Sequence, residues 1–345
     1  MNAVRFTVAA VVSMTAAVLL TGCSLFAEGP DQDERDSWSR VIESAVEALP
    51  GVDGAAHAFE YHPYGPNSYY TSLLDVRLAD GVTPADAASV LHVMAAQQLP
   101  PHYRGDTTIV TIRRVSDSYR GSWPFGRNVA EQANAAANWT RVSSAQTGAE
   151  IHWSGGVKTT ADADGPAGSI SVRAGSEAEP QRATAAMRRI IRDFPELAAN
   201  NWTVSPTHGE SMSELYSTLA PSVTHMDRRP RFPTDGELEL WEWLLTDQPA
   251  PFVAEVSVFD PPTTAGRTLA ITVFPPLGEE FDAEQTTRLA ERHLRHLSER
   301  GGVVDYKIIS RVGPDLAVVV GGGCPEPGRE VTPESEPFVS RYERC

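Results

Sequence analysis

The chain has 345 residues and carries 45 acidic against 29 basic side chains, a formal net charge of -16. Only Lys158 and Lys307 are lysines, so its positive charge is almost all arginine. That balance disfavours nucleic acid and anionic lipid surfaces, which recruit clustered Lys and Arg. The length exceeds one ordinary domain and predicts two or three units.

Arg5 precedes an almost charge-free apolar run over residues 6–20. The run has the size of a secretory hydrophobic region and falls short of the roughly 20 residues that span a bilayer as a helix. It ends in Leu20-Thr21-Gly22-Cys23. This stretch resembles the lipobox of bacterial lipoproteins, in overall style those of GC-rich Gram-positive bacteria. The resemblance implies removal of a signal peptide (1–22) and a lipid on the Cys23 thiol. Acyl chains contributing roughly 0.8 kcal/mol per buried methylene would hold the protein on the extracytoplasmic face of the cell membrane. Loss of Arg5 would leave 28 basic against 45 acidic side chains, a net charge of -17. Residues 23–37 read as an acidic tether, too polar to join a core.

From there a recurrent order appears: helix, strand, strand, capped helix, strand. The first module (38–120) has a helix over 38–49 and strands over 56–62 and 72–79. In the second strand Leu74, Val76 and Leu78 alternate with Asp75 and Arg77. Thr83-Pro84-Ala85-Asp86 then starts a helix, with Thr83 as cap and Pro84 in the first turn. A strand over 107–115 closes the module. The second module (121–207) has a helix over 129–139, strands over 150–153 and 169–173, a capping box at Ser176-Glu177-Ala178-Glu179, and a strand over 202–205. Residues 208–234 read as a linker. The third module (235–324) has a helix over 237–245, strands over 253–259 and 269–274, a helix opened by Asp282, and a strand over 303–312. A Pro/Glu-rich segment (325–345) reads as an irregular tail. The predicted fold class is α+β: three tandem αββαβ-like modules, each a small antiparallel-rich sheet covered by helices.

Of the three cysteines, lipid would occupy Cys23, leaving Cys324 and Cys345 on the oxidising side of the membrane. A bond between them would close a loop of about twenty residues, worth roughly 3 kcal/mol. A free thiol or an intermolecular bond through Cys345 are the alternatives.

The candidate ligand-contacting patch is the aromatic hairpin with Tyr61, His62, Tyr64, Tyr69 and Tyr70, read against simple hairpin packing. Strand alternation separates His57 from Glu60 and His62, which argues against a metal there. His293 and His296 lie one helical turn apart beside the Leu289/Leu294/Leu297 stripe and read as solvated or boundary residues. The segment around Trp241 and Trp243 reads as core, with a partner-facing helix as the alternative. Asn138 and Asn201, each before Trp-Thr, read as helix ends in the left-handed conformation. Gly321-Gly322-Gly323 lacks the Lys-Ser/Thr of a phosphate loop, and no catalytic signature occurs.

These features predict a lipid-anchored extracytoplasmic binding or scaffolding protein, not an enzyme, without cofactor or metal. Its partners would be the membrane, through the anchor, and an envelope protein or small ligand. The alternatives are a solute-binding lipoprotein of a transporter and an envelope enzyme with a site dispersed in sequence.

Overall fold

The computed structural model describes residues 32–344 except 64–68, 98, 100–102, 104–106, 124–127, 147, 156–167, 174–179, 206–221, 226–230, 247–251, 259–265, 276–279, 311–313, 324–328 and 330. Cys23, Cys324, Cys345, Tyr64 and the box at 176–179 lie outside the described residues. The protein is α+β. Its elements run α1 (Gln32–Glu47), β1 (Val52–His62), β2 (Tyr69–Leu78), α2 (Pro84–Ala96), β3 (Thr107–Arg114), β4 (Asp117–Trp123), α3 (Val129–Ala145), β5 (Glu150–Ser154) and β6 (Ser169–Arg173). They continue α4 (Pro180–Asp193), β7 (Asn201–Ser205), β8 (Ser222–His225), α5 (Asp235–Thr246), β9 (Val253–Val258), β10 (Arg267–Phe274), α6 (Ala283–Arg300), β11 (Val303–Ile308), β12 (Leu316–Val320) and α7 (Glu336–Tyr342).

The strands do not form three small sheets. β1–β7 and β9–β12 are joined through β8 into one twelve-stranded sheet in sequence order. Antiparallel hairpins alternate with parallel pairs: β1–β2 is antiparallel, β2–β3 parallel, β3–β4 antiparallel, and so on to β11–β12. The repeating unit is therefore αββ, six times over. The αββαβ word omits β4, β8 and β12. Each parallel step is a crossover through a helix, always toward the next strand. Right-handed crossovers that all step the same way place their helices on one face of the sheet.

Alternation along each strand shows that face. Leu74, Val76, Val110, Ile112, Ile151, Trp153, Ile170, Val172, Trp202 and Val204 are at most 2 % exposed. So are Ala254, Val256, Ile271, Val273, Val304, Tyr306, Val318 and Val320. The helices supply the other half of the core, for example Val90, Leu91, Trp139, Met187, Ile190, Trp241, Leu294 and Leu297. Each such aliphatic side chain contributes roughly 1.5–3 kcal/mol on burial. The indoles of Trp139 and Trp202 donate to the carbonyls of Ile151 and Leu197, so neither buries an orphan N–H.

Local signals position the helices. Thr83 and Asp86 form the expected capping box, and Asp282 forms one with Gln285. A third box entering α5 joins Thr234 and Glu237, whose carboxylate also takes both guanidinium arms of Arg231. After β12, Gly321 (φ 87°) passes so close to the Gly302 carbonyl that no Cβ fits. The glycine run therefore serves a backbone contact.

Several expectations are corrected. α1 begins at Gln32, inside the predicted tether. Arg35, 4 % exposed, leaves water there because its guanidinium lies 5.4 Å from the Tyr70 ring centroid. β8 lies inside the predicted linker, and the tail carries α7. Asn138 sits within α3 and donates to the Asn134 carbonyl, while Asn201 opens β7, so neither marks a left-handed helix end.

Both sheet edges are covered. On β1 the amides of Ala55 and His57 donate to the carboxylates of Glu47 and Glu43 of α1. On β12 the amides of Ala317 and Val319 donate to Ser335 and Glu343, with Arg329 on the same carboxylate. Acceptors from flanking helical segments thus occupy edge donors that would otherwise template another strand.

Candidate functional site

With the described crossover helices on one side, the sheet's second face is made of the alternate residues of every strand. Cross-strand register links these into a lateral row: Gly54, Arg77, Arg113, Ser118, His152, Ser171 and Thr203. It continues through position 224 to Ser257, Ala270, Asp305 and Val319. From β4 to β7 it presents hydroxyls and one imidazole. Ser118, His152, Ser171 and Thr203 are half-buried, and Ser257 is 8 % exposed. With strands about 4.8 Å apart, the stretch from β2 to β9 is about 34 Å long.

The predicted aromatic patch is split by the sheet. Tyr61 and Tyr70 face the helices and pack with Phe59 and Tyr103, Tyr70 to Tyr103 at 5.3 Å between ring centroids. They belong to the core. His62 and Tyr69 lie on the open face, stacked at 4.7 Å, with His62 Nε2 3.0 Å from Thr71 Oγ1. His57 points the other way, 7 % exposed, its Nδ1 3.0 Å from Ser39 Oγ and Nε2 2.8 Å from Ser72 Oγ. Burial pushes its pKa down to about 4.

Near the centre of the row, His152 Nδ1 lies 2.8 Å from Ser118 Oγ, and its Nε2 lies 3.5 Å from a Glu150 carboxylate oxygen. Residue types and contacts are those of a nucleophile, base and acid. The strand amides beside the group are spent in the ladder and lie in the sheet plane, so they supply no oxyanion hole to it. Spacing along the sequence could not reveal this group, since Ser118 and His152 meet only through β4–β5 pairing. Behind it, the Arg114 guanidinium bonds Ser143, Ser144 and Asp117, while Asp117 accepts the Ile151 amide. Burial raises the Asp117 pKa against the lowering effect of those partners.

His293 and His296 differ from expectation. His293 is fully buried, with Nδ1 2.7 Å from the Tyr306 hydroxyl and Phe252 and Trp243 against its ring. His296 stacks on Trp243 at 3.8 Å. The packing of α5 beside α6 encloses them. Trp241, Leu238 and Leu244 are core. Among the described residues no three His, Cys, Asp or Glu side chains gather in a metal-holding group. A separate cavity of about 430 Å³ opens between the start of α6, the β11–β12 end and α7, lined by Phe281, Ile308, Leu316, Phe338, Glu291 and Arg341. No helix of the described residues is long and apolar enough to cross a membrane.

Comparison with protein-family models, curated proteins and solved structures finds no match for this chain.

Proposed function

We propose that the protein is a lipid-anchored, extracytoplasmic binding or scaffolding protein that offers the open face of its sheet to an envelope ligand, without catalysis. The lipobox-like Leu20-Thr21-Gly22-Cys23 supports the address, with Cys23 as the lipid-bearing residue. The observation that carries the binding role is the half-buried polar row of β4–β7. Hydroxyls aligned in register across successive strands offer donors and acceptors to a ligand laid over them. Cys324 and Cys345 are proposed to pair: the contacts of Glu343 with Val319 and Arg329 fold the tail back beside β12.

The test is cosedimentation of the full-length protein, held in neutral detergent so that its lipid cannot insert, with detergent-extracted envelope fragments of the producing bacterium. Thr203→Trp, which obstructs the row, is expected to abolish binding. Arg295→Trp, on the exposed side of α6, is expected to leave it intact. A second reading, a solute-binding component of a transporter, has the cavity beside α6 and α7 in its favour, because its volume falls in the range of small-molecule pockets. Under that reading Phe338→Trp would abolish binding of a small solute and Thr203→Trp would not.

A further inference from the structure

The open face carries its charge unevenly. Arg77 of β2 and Arg113 of β3 are register partners, and Arg120 of β4 pairs with Thr111, one step along from Arg113. All three are exposed on a chain whose net charge is -16. Arg113 is engaged by Asp75, Nη2 to Oδ2 at 3.1 Å. Among the described residues, Arg77 and Arg120 have no carboxylate within ion-pair distance. Like charges directly opposite one another destabilise a sheet, so this placement does nothing for the fold.

The internal repeat supplies a comparison. Leu74-Asp75-Val76-Arg77 of β2 corresponds to Ile170-Ser171-Val172-Arg173 of β6. Opposite Arg173 in register stands Glu150, its counter-charge. Opposite Arg77 stands Gly54, and Arg77 Nη2 lies 3.0 Å from where a Cβ on Gly54 would be. The first hairpin thus replaces the balancing carboxylate with a glycine, over which the uncompensated guanidinium lies.

We propose that Arg77, Arg113 and Arg120 bind the carboxylates of an acidic polysaccharide laid across the strands, its sugar hydroxyls meeting the row that continues through Ser118, His152, Ser171 and Thr203. The proposal rests on the open face being the binding surface. A guanidinium forms planar, bidentate bonds to carboxylates. Repeated at the strand spacing of about 4.8 Å, these guanidinium groups suit successive singly charged groups on a chain.

The experiment measures retention of full-length protein, in neutral detergent, on immobilised polygalacturonate, with neutral dextran and phosphocellulose as comparators. The expected result is binding to polygalacturonate only, weakened about tenfold by Arg77→Gln with Arg120→Gln, the loss of about two exposed charge-assisted contacts. Raising ionic strength from about 0.01 M to about 1 M, which shortens the Debye length from about 30 to about 3 Å, should abolish it. Both arginines are exposed and unpaired, so the double variant keeps the wild-type melting temperature. Equal retention on dextran, binding to phosphocellulose in place of polygalacturonate, or an unaffected double variant would overturn the proposal. If envelope fragments still bind in a Thr203-dependent way, the binding reading stands and only the polysaccharide assignment falls. If they do not bind, the binding reading itself falls.

Discussion

His57→Gln isolates one buried group whose effect on stability has a definite sign and pH window. The imidazole lies under α1 between the hydroxyls of Ser39 and Ser72, and burial lowers its pKa from 6.5 to about 4. Above pH 6.5 it is neutral in both folded and unfolded chains and adds no pH dependence. Between pH 6.5 and 4 the unfolded chain takes up a proton that the folded chain refuses, so stability falls with pH. At about 1.36 kcal/mol per pKa unit the loss approaches about 3 kcal/mol near pH 4, and below that both states are protonated and the loss stops. Glutamine keeps hydrogen-bonding capacity without titrating. Urea unfolding of both proteins at half-unit steps of pH cancels the contributions of groups common to the two. The stability difference, wild type minus variant, should fall by about 3 kcal/mol from pH 6.5 to 4. Parallel pH profiles would refute the burial of a neutral imidazole at this position.

Other consequences follow from the edges and caps. Glu43→Ala with Glu47→Ala uncovers the β1 edge amides and should cause concentration-dependent self-association, seen by analytical ultracentrifugation; a strictly monomeric variant would contradict the edge-cap role. Asp282→Ala removes the α6 cap and should cost about 1 kcal/mol in chemical unfolding, whereas Asp282→Asn should recover most of it. If Cys324 and Cys345 are bonded, non-reducing peptide mapping finds them linked, and Cys324→Ala with Cys345→Ala loses roughly 3 kcal/mol. Recovery of either as a free thiol would count against the bond.

What the sequence revealed and what it hid have physical causes. β2 was legible because Leu74, Val76 and Leu78 alternate with polar residues, and α2 and α6 because Thr83 and Asp282 announce their starts. β4 was not: Asp-Ser-Tyr-Arg-Gly-Ser-Trp has little apolar content, and mainly Tyr119 anchors it. β12 is an unbroken apolar run without alternation, and Pro337 at its start disguises α7. Missing β4, β8 and β12 concealed the αββ unit, and with it the joining of the modules into one sheet. The open-face row was invisible for the same reason, since Arg77, Ser118, His152 and Thr203 become neighbours only through register. The aromatic hairpin was found, but alternation assigns Tyr70 to the core and Tyr69 to the open face.

The central claim, that the open face is the working surface, is tested most directly by Thr203→Trp in the envelope-fragment cosedimentation. The account predicts a correctly folded variant that stays in the supernatant while wild type and Arg295→Trp pellet with the fragments. Pelleting of the Thr203 variant at the wild-type level would contradict it.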